Sequence, residues 1–69
     1  PYKYAQINFE MGNVETLLAQ INNDEKAVLN AISYYEKSLK VFNIDEYPKY
    51  YKSVLSSMEK LNDFKKGSE

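Results

Sequence analysis

Residues 1–14, PYKYAQINFEMGNV, align without a gap on residues 48–61, PKYYKSVLSSMEKL. Proline stands on proline, and the matched apolar pairs are Tyr4/Tyr51, Ile7/Val54, Met11/Met58 and Val14/Leu61. These positions lie three or four residues apart, which is the spacing of one face of an α-helix. A period of about 20 to 50 residues that keeps one helical face is typical of stacked-repeat proteins. The duplication therefore predicts a piece of a helical solenoid, and it directs the functional question to binding rather than catalysis.

The same apolar periodicity runs through the whole chain and predicts an all-α fold of three antiparallel helices. We expect them over about residues 2–21, 24–43 and 47–64, separated by polar turn clusters at residues 22–24 and 43–46. The predicted core stripes are Tyr4, Ile7, Met11, Val14, Leu18 and Ile21 in the first helix, Val28, Ile32, Tyr35, Leu39 and Phe42 in the second, and Tyr51, Val54, Met58 and Leu61 in the third. Residues 1–64 should form one module, followed by a frayed polar tail at 65–69.

Composition excludes several classes of function. The chain has 69 residues, no Cys, no His and a net charge of −1, so the usual zinc ligands and the usual nucleophile–base pairs are missing. All nine basic residues are Lys, which removes the bidentate contacts of Arg with bases and phosphates. We therefore expect no enzyme activity, metal, cofactor or nucleic-acid partner. No membrane span or signal peptide is evident, which makes the cytoplasm the default location, and a start without Met suggests a fragment.

A family resemblance rests on Met11-Gly12 in the first helix and on residues 31–42, AISYYEKSLKVF, in the second. This pattern resembles the tetratricopeptide repeat, which places a large apolar residue before Gly and then Ala, an aromatic and a small residue in the second helix. Here those roles fall to Met11, Gly12, Ala31, Tyr35 and Ser38. In such packing the small residues let the helices approach closely while Tyr35 fills the gap beside them.

The match departs from the usual repeat of 34 residues in ways that indicate a long-repeat variety. The spacing from Gly12 to Ala31 is longer than usual, Glu15 stands where an aromatic is common, and Glu59 replaces the Gly of the second copy. The resemblance covers most of residues 4–61, as one full repeat plus the first helix of the next. It implies a protein–protein interaction or scaffolding module.

Members of this family bind peptides on the face that their first helices line. The resemblance places the partner-binding residues of this chain at Gln6, Phe9, Asn13, Leu17, Gln20, Ser53, Ser56, Lys60 and Phe64. Asn13 can both donate to and accept from a main chain. Phe9 and Leu17 have a second interpretation, in which they pack against a preceding helix.

Self-association is the second expectation, because a third helix without its own partner helix leaves apolar surface uncovered. We expect a homodimer through that face of the third helix. The alternative is a freestanding three-helix bundle that serves as a structural or oligomerisation module. A repeat predicts that Val54 and Met58 meet the second helix through the same face as Ile7 and Met11, and a bundle does not.

Overall fold

Three α-helices joined by two short connections make up residues 1–67. In the computed structural model, which describes residues 1–67 and side chains to residue 64, these are α1 (Tyr2–Asn22), α2 (Glu25–Leu39) and α3 (Pro48–Gly67). Residues 1–67 contain no strand, and the predicted all-α class with three helices is confirmed. α1 and α2 form an antiparallel hairpin. The first residue of α1, Tyr2, contacts Tyr50 near the start of α3, so α1 and α3 run in the same direction, and α3 packs against both helices of the hairpin.

The turn between α1 and α2 forms as its polar residues predict. Asn23 ends α1 in the left-handed conformation, with φ 51° and ψ 47°, which Asn tolerates better than most residues. Asp24 then caps α2, because its side chain accepts a hydrogen bond of 2.9 Å from the N–H of Lys26. Glu25 adds an acidic group in the first turn of α2, where the helix dipole favours negative charge.

The end of α2 differs from the prediction. The helix ends at Leu39 rather than at residue 43, and the next residues form a tight turn in which the N–H of Phe42 donates to the carbonyl of Ser38 at 2.8 Å. Phe42 lies in this turn rather than in α2, and its side chain is still fully buried in the core. α3 extends past its predicted end to Gly67. Residues 65–67 of the predicted frayed tail are therefore helical, and 68–69 lie outside the described residues.

The face of α1 that enters the core is not the one predicted. The buried residues of α1 are Ala5, Asn8, Gly12 and Ala19, whereas the predicted stripe ranges from 39% exposed at Met11 to 77% at Ile21. That prediction was wrong, and it includes Tyr4, which is half exposed.

The physical reason lies at the crossing of α1 and α2. Tyr35 of α2 is fully buried against Gly12. A Cβ atom at Gly12 would come within 2.5 Å of Tyr35 Cε1. A ring this close to a helix backbone needs a flat surface, and the small residues of α1 provide it. Gly12, Ala31, Ser38 and Tyr35 are all buried, and the close approach expected at Gly12 is made by the Tyr35 ring. Tyr51, also expected in the core, is half-buried.

An aromatic cluster joins α3 to the hairpin at one end of the molecule. It consists of Tyr2, Phe42, Tyr47 and Tyr50. Phe42 stacks on Tyr50 with ring centroids 4.6 Å apart, and Tyr2 meets Phe42 edge-on at 5.8 Å. The hydroxyl oxygens of Tyr2 and Tyr50 lie 2.8 Å apart. Because these residues come from α1, the second connection and α3, the cluster sets where α3 begins its packing.

The hydroxyl pair makes the stability of the fold sensitive to alkaline pH. The hydrogen bond with Tyr50, followed by partial burial, raises the pKa of Tyr2 above its ordinary value of 10.0. The folded protein then holds this proton more tightly than the unfolded chain, so the contribution of the pair is present below about pH 10 and is lost as the pH rises. We expect urea denaturation to show a fall in stability between about pH 9 and pH 11 that Tyr2→Phe reduces. Tyr4→Phe, on the exposed face of α1, is the matched control, and an equal fall in both variants would contradict the assignment.

Candidate interaction surfaces

The largest exposed apolar surface within residues 1–64 lies on α1. Seven of the eleven exposed large apolar side chains belong to this helix. We call its outer row the α1 stripe, and its members are Tyr4, Ile7, Met11, Val14, Leu18 and Ile21. Leu17 lies beside it and is 58% exposed. A large exposed apolar patch on a protein surface is typical of an interaction site.

The aligned positions of α3 are in a different environment. Val54 and Leu61 are 0% and 1% exposed, whereas their counterparts Ile7 and Val14 are 57% and 50% exposed. The prediction that both helices meet α2 through equivalent residues was therefore wrong. α1 reaches α2 with its small residues and α3 reaches the hairpin with its apolar stripe.

The reason is geometric. α3 packs its apolar stripe, which includes Val54 and Leu61, against the hairpin and makes more contact with α2 than with α1. α1 packs against α2 with a different face, which carries Ala5, Gly12 and Ala19. The same register on α1 therefore points away from the hairpin, to a position that no helix occupies within the described residues.

A groove of about 270 Å³ opens between α1 and α3. It is shallow and accessible to solvent, with Tyr35 of α2 at its base. Its lining residues are Asn13, Thr16, Leu17, Gln20, Tyr35, Ser57 and Lys60. The predicted partner-binding residues that it brings together are Asn13, Leu17, Gln20 and Lys60.

The remaining predicted residues lie elsewhere. Phe9 and Phe64 are half-buried and pack against the core, with the Phe9 ring centroid 6.0 Å from that of Tyr35. Gln6, Ser53 and Ser56 are exposed and do not line the groove. Leu17 lines the groove, whereas Phe9 neither lines it nor is left free to pack against a preceding helix. The packing of Phe9 is against this chain's own core.

Hydrogen bonds fix the polar chemistry at the base of the groove. The Tyr35 hydroxyl donates to Asn13 Oδ1 at 2.8 Å and lies 2.9 Å from Thr16 Oγ1. Thr16 Oγ1 in turn donates to the carbonyl of Gly12 at 2.8 Å. Since the carbonyl oxygen of Asn13 is engaged by Tyr35, its amide N–H groups are the part left for a ligand. With Lys60 opposite, the groove favours carbonyl or carboxylate acceptors.

Sequence reasoning missed Thr16, Tyr35 and Ser57 as lining residues, and it placed the α1 stripe inside the core. The available signal was the spacing of Ala5, Gly12 and Ala19, which recur every seven residues on one face of α1. Such a row of small residues marks where two helices approach closely.

No protein-family model, curated protein or solved structure matches this chain. Among the described residues, no helix combines the length and apolar character needed to cross a bilayer. The same residues contain no cluster of three or more Cys, Asp or Glu side chains that could hold a metal ion.

A second depression, of about 380 Å³, lies between α2 and α3. Ile32, Leu55, Met58, Glu59 and Asn62 line it. It contains the outer apolar residues of α3, of which Leu55 is 40% exposed and Met58 is half-buried. This is the face through which a homodimer is predicted. It has fewer exposed apolar side chains than the α1 stripe.

Proposed function

We propose that this chain is a protein–protein interaction module that binds an apolar helix on the α1 stripe. The observation that carries the proposal is a difference in exposure between aligned residues. Ile7 and Val14 of α1 are exposed to solvent, whereas Val54 and Leu61, which align with them in α3, are buried. A surface of six large apolar side chains in one row along a helix of 21 residues suits a partner helix that lies along it.

We expect the affinity of a partner for the stripe to come from apolar shape complementarity rather than from charge. The net charge of the chain is −1, and the residues beside the stripe include both Lys3 and Glu10. Long-range electrostatic steering is therefore weak, and affinity would come from a few apolar anchors in the centre of the contact. Ile7 and Val14 are the central candidates, since each is at least half exposed.

One part of the hairpin packing supports the proposed kinship with tetratricopeptide repeats, whereas the equivalent contact of Ile7 and Val54 with α2, which a repeat was expected to make, does not form. Gly12, Ala31 and Ser38 are buried around Tyr35, as close packing of such a repeat requires. In this view the α1 stripe is the surface that stacks on a neighbouring repeat or an equivalent helix. A freestanding bundle with a purely structural role is the alternative, and it requires no ligand on this face.

A synthetic peptide tests the proposal with a probe taken from the chain itself. Residues 25–43 contain α2 and Phe42, and α2 is the helix against which α3 packs its aligned stripe. We expect this peptide to shift the NMR resonances of Ile7 and Val14 in the intact protein. A control peptide carrying Ile32→Glu and Leu39→Glu should leave them unchanged. At a protein concentration where the chain is monomeric, unmoved resonances with the native peptide at about 1 mM, where binding would be weaker than about −4 kcal/mol, would refute helix binding by the stripe.

The groove between α1 and α3 supports a second candidate function, which is binding of an extended peptide. The supporting observation is the orientation of Asn13, whose carbonyl oxygen accepts from Tyr35 and whose amide therefore offers donors. The same NMR spectra separate the two surfaces. A ligand in the groove moves the resonances of Asn13, Gln20 and Ser57, whereas a ligand on the stripe moves those of Ile7 and Val14.

A further inference from the structure

The α1 stripe follows a heptad pattern over its whole length. Its side chains alternate at steps of three and four residues from Tyr4 to Ile21. This is the a/d pattern of a coiled-coil seam, in which the side chains of one helix pack between those of another. The stripe is exposed along all of this length, so a straight helix can lie against it without moving α2 or α3.

We propose that two copies of this chain associate through their α1 stripes, with the two α1 helices antiparallel, as a closed two-fold dimer. The inference rests on the proposed function, because it takes the stripe to be a helix-binding surface and names its occupant. A two-fold contact brings the same patch of both copies together, so one self-complementary stripe is sufficient.

A second copy has no better surface to offer than its own stripe. The apolar face of α2 is engaged in the core through Val28 and Tyr35, and that of α3 through Val54 and Leu61. Leu29, Ile44, Tyr50 and Leu55 are the remaining exposed large apolar side chains among the described residues. They come from α2, the second connection and α3. The α1 stripe of the second copy is therefore the surface that best matches the α1 stripe of the first.

Charge decides the relative direction of the two helices. In a parallel coiled coil, the residue just before one seam position faces the residue just after the next seam position of the partner. That arrangement would place Glu10 of each copy against Glu15 of the other, twice in the dimer. Like charges held face to face are unfavourable. In the antiparallel arrangement Glu10 lies across from Leu17 instead, and Glu15 lies across from Asn8.

The antiparallel arrangement also fixes the register. Full overlap of the two stripes sets Met11 of one copy against Val14 of the other at the centre. Tyr4 then lies against Ile21 at both ends. Tyr4 thus faces the smaller Ile21, and Met11 faces the smaller Val14, a pairing that favours interdigitation.

The stripe and the residues that flank it would both have to contribute to an interface of the area that a stable dimer needs. A stable interface buries about 800 Å² on each partner, and the largest apolar patch of a typical monomer covers roughly 300–600 Å². The stripe and Leu17 supply seven large side chains that are between 39% and 77% exposed, which is a patch of that class. The flanking side chains of Lys3, Gln6 and Glu10, all exposed, extend the contact.

Sedimentation equilibrium of the intact chain tests the dimer. We expect a monomer–dimer equilibrium that saturates at two copies. Ile7→Glu should weaken it on the order of 100-fold or more, because two unpaired carboxylates would enter the apolar contact. Leu29→Glu is the matched control: Leu29 is 62% exposed on α2 and Ile7 is 57% exposed on α1, so both changes leave the core intact. Equal association of the two variants would overturn the proposal, and so would growth beyond two copies.

Cross-linking then tests the direction, since the chain contains no cysteine of its own. The variants Ile7→Cys and Leu18→Cys are prepared separately and mixed under mild oxidation. An antiparallel pair brings residue 7 of one copy to residue 18 of the other, so we expect the mixed disulfide to predominate. A predominance of the two like disulfides would show a parallel pair and overturn the assignment.

These results separate the dimer from the proposed function. If the native chain remains monomeric at high concentration while the α2 peptide still moves the resonances of Ile7 and Val14, the dimer falls and helix binding stands. If neither occurs, both fall. If the dimer forms and the peptide competes with it, the two share one surface, as the proposal requires.

Discussion

Phe42→Ala should remove most of the stability of this protein. Phe42 is fully buried, stacks on Tyr50 and contacts Tyr2 and Tyr47 edge-on. Truncation of a buried Phe typically costs about 3–5 kcal/mol. A chain of this length has a total stability of only about 3–10 kcal/mol, at roughly 0.05–0.15 kcal/mol per residue. We therefore expect the variant to be largely unfolded, or to keep the hairpin while α3 detaches.

Urea denaturation followed by circular dichroism measures this effect, and the NMR resonances of Val54 and Leu61, which α3 buries against the hairpin, report α3 separately. Ile44→Ala is the matched control, because Ile44 lies in the same connection but is 55% exposed. It should change the stability by less than about 0.5 kcal/mol. A Phe42→Ala variant whose stability lies within about 1 kcal/mol of the native value would show that the cluster does not hold α3.

Gly12→Ala should destabilise the fold, although alanine is the better helix former. Helix propensity alone predicts a gain of about 1 kcal/mol. The new Cβ atom would lie 2.5 Å from Tyr35 Cε1 and 2.7 Å from Cδ1. The ring cannot easily withdraw, because its hydroxyl is bound by Asn13 and lies against Thr16. Overpacking and the displaced hydrogen bonds together should lower stability by about 1–3 kcal/mol net of propensity.

Thermal or urea unfolding of the variant gives the sign directly. Ser33→Ala, at an exposed site of α2, is the control in which propensity acts without crowding, and it should be neutral or slightly stabilising. Stabilisation of both variants would contradict the close contact between α1 and the Tyr35 ring.

The sequence predicts the number and class of the helices well because long amphipathic periods leave little ambiguity. It also predicts the turn at Asn23 and Asp24, where local side-chain chemistry decides the conformation. The end of α2 was harder to predict. Phe42 continues the apolar spacing of the helix, and only the tertiary structure shows that a turn carries it inward.

The orientation of α1 shows a deeper limit of periodicity. An apolar stripe shows that some face of a helix will be covered, and it does not say by which molecule. Here the intramolecular contact uses Ala5, Gly12 and Ala19, since Tyr35 supplies the bulk from the opposite side. A single chain cannot distinguish the face that its own core needs from the face that a partner needs. For the same reason, only part of the predicted groove was assembled, around Asn13 and Lys60.

The uneven distribution of contacts among the helices determines the order in which we expect them to fold. α1 and α2 are neighbours along the chain and share the most extensive interface, while α3 makes far less contact with either. Contacts between neighbouring segments require only short loops to close, and chains rich in them fold within microseconds to milliseconds. The hairpin would therefore form first and α3 would join it last, through Phe42. During synthesis or refolding, we expect the contact between Gly12 and Tyr35 to form in the hairpin before α3 docks on it.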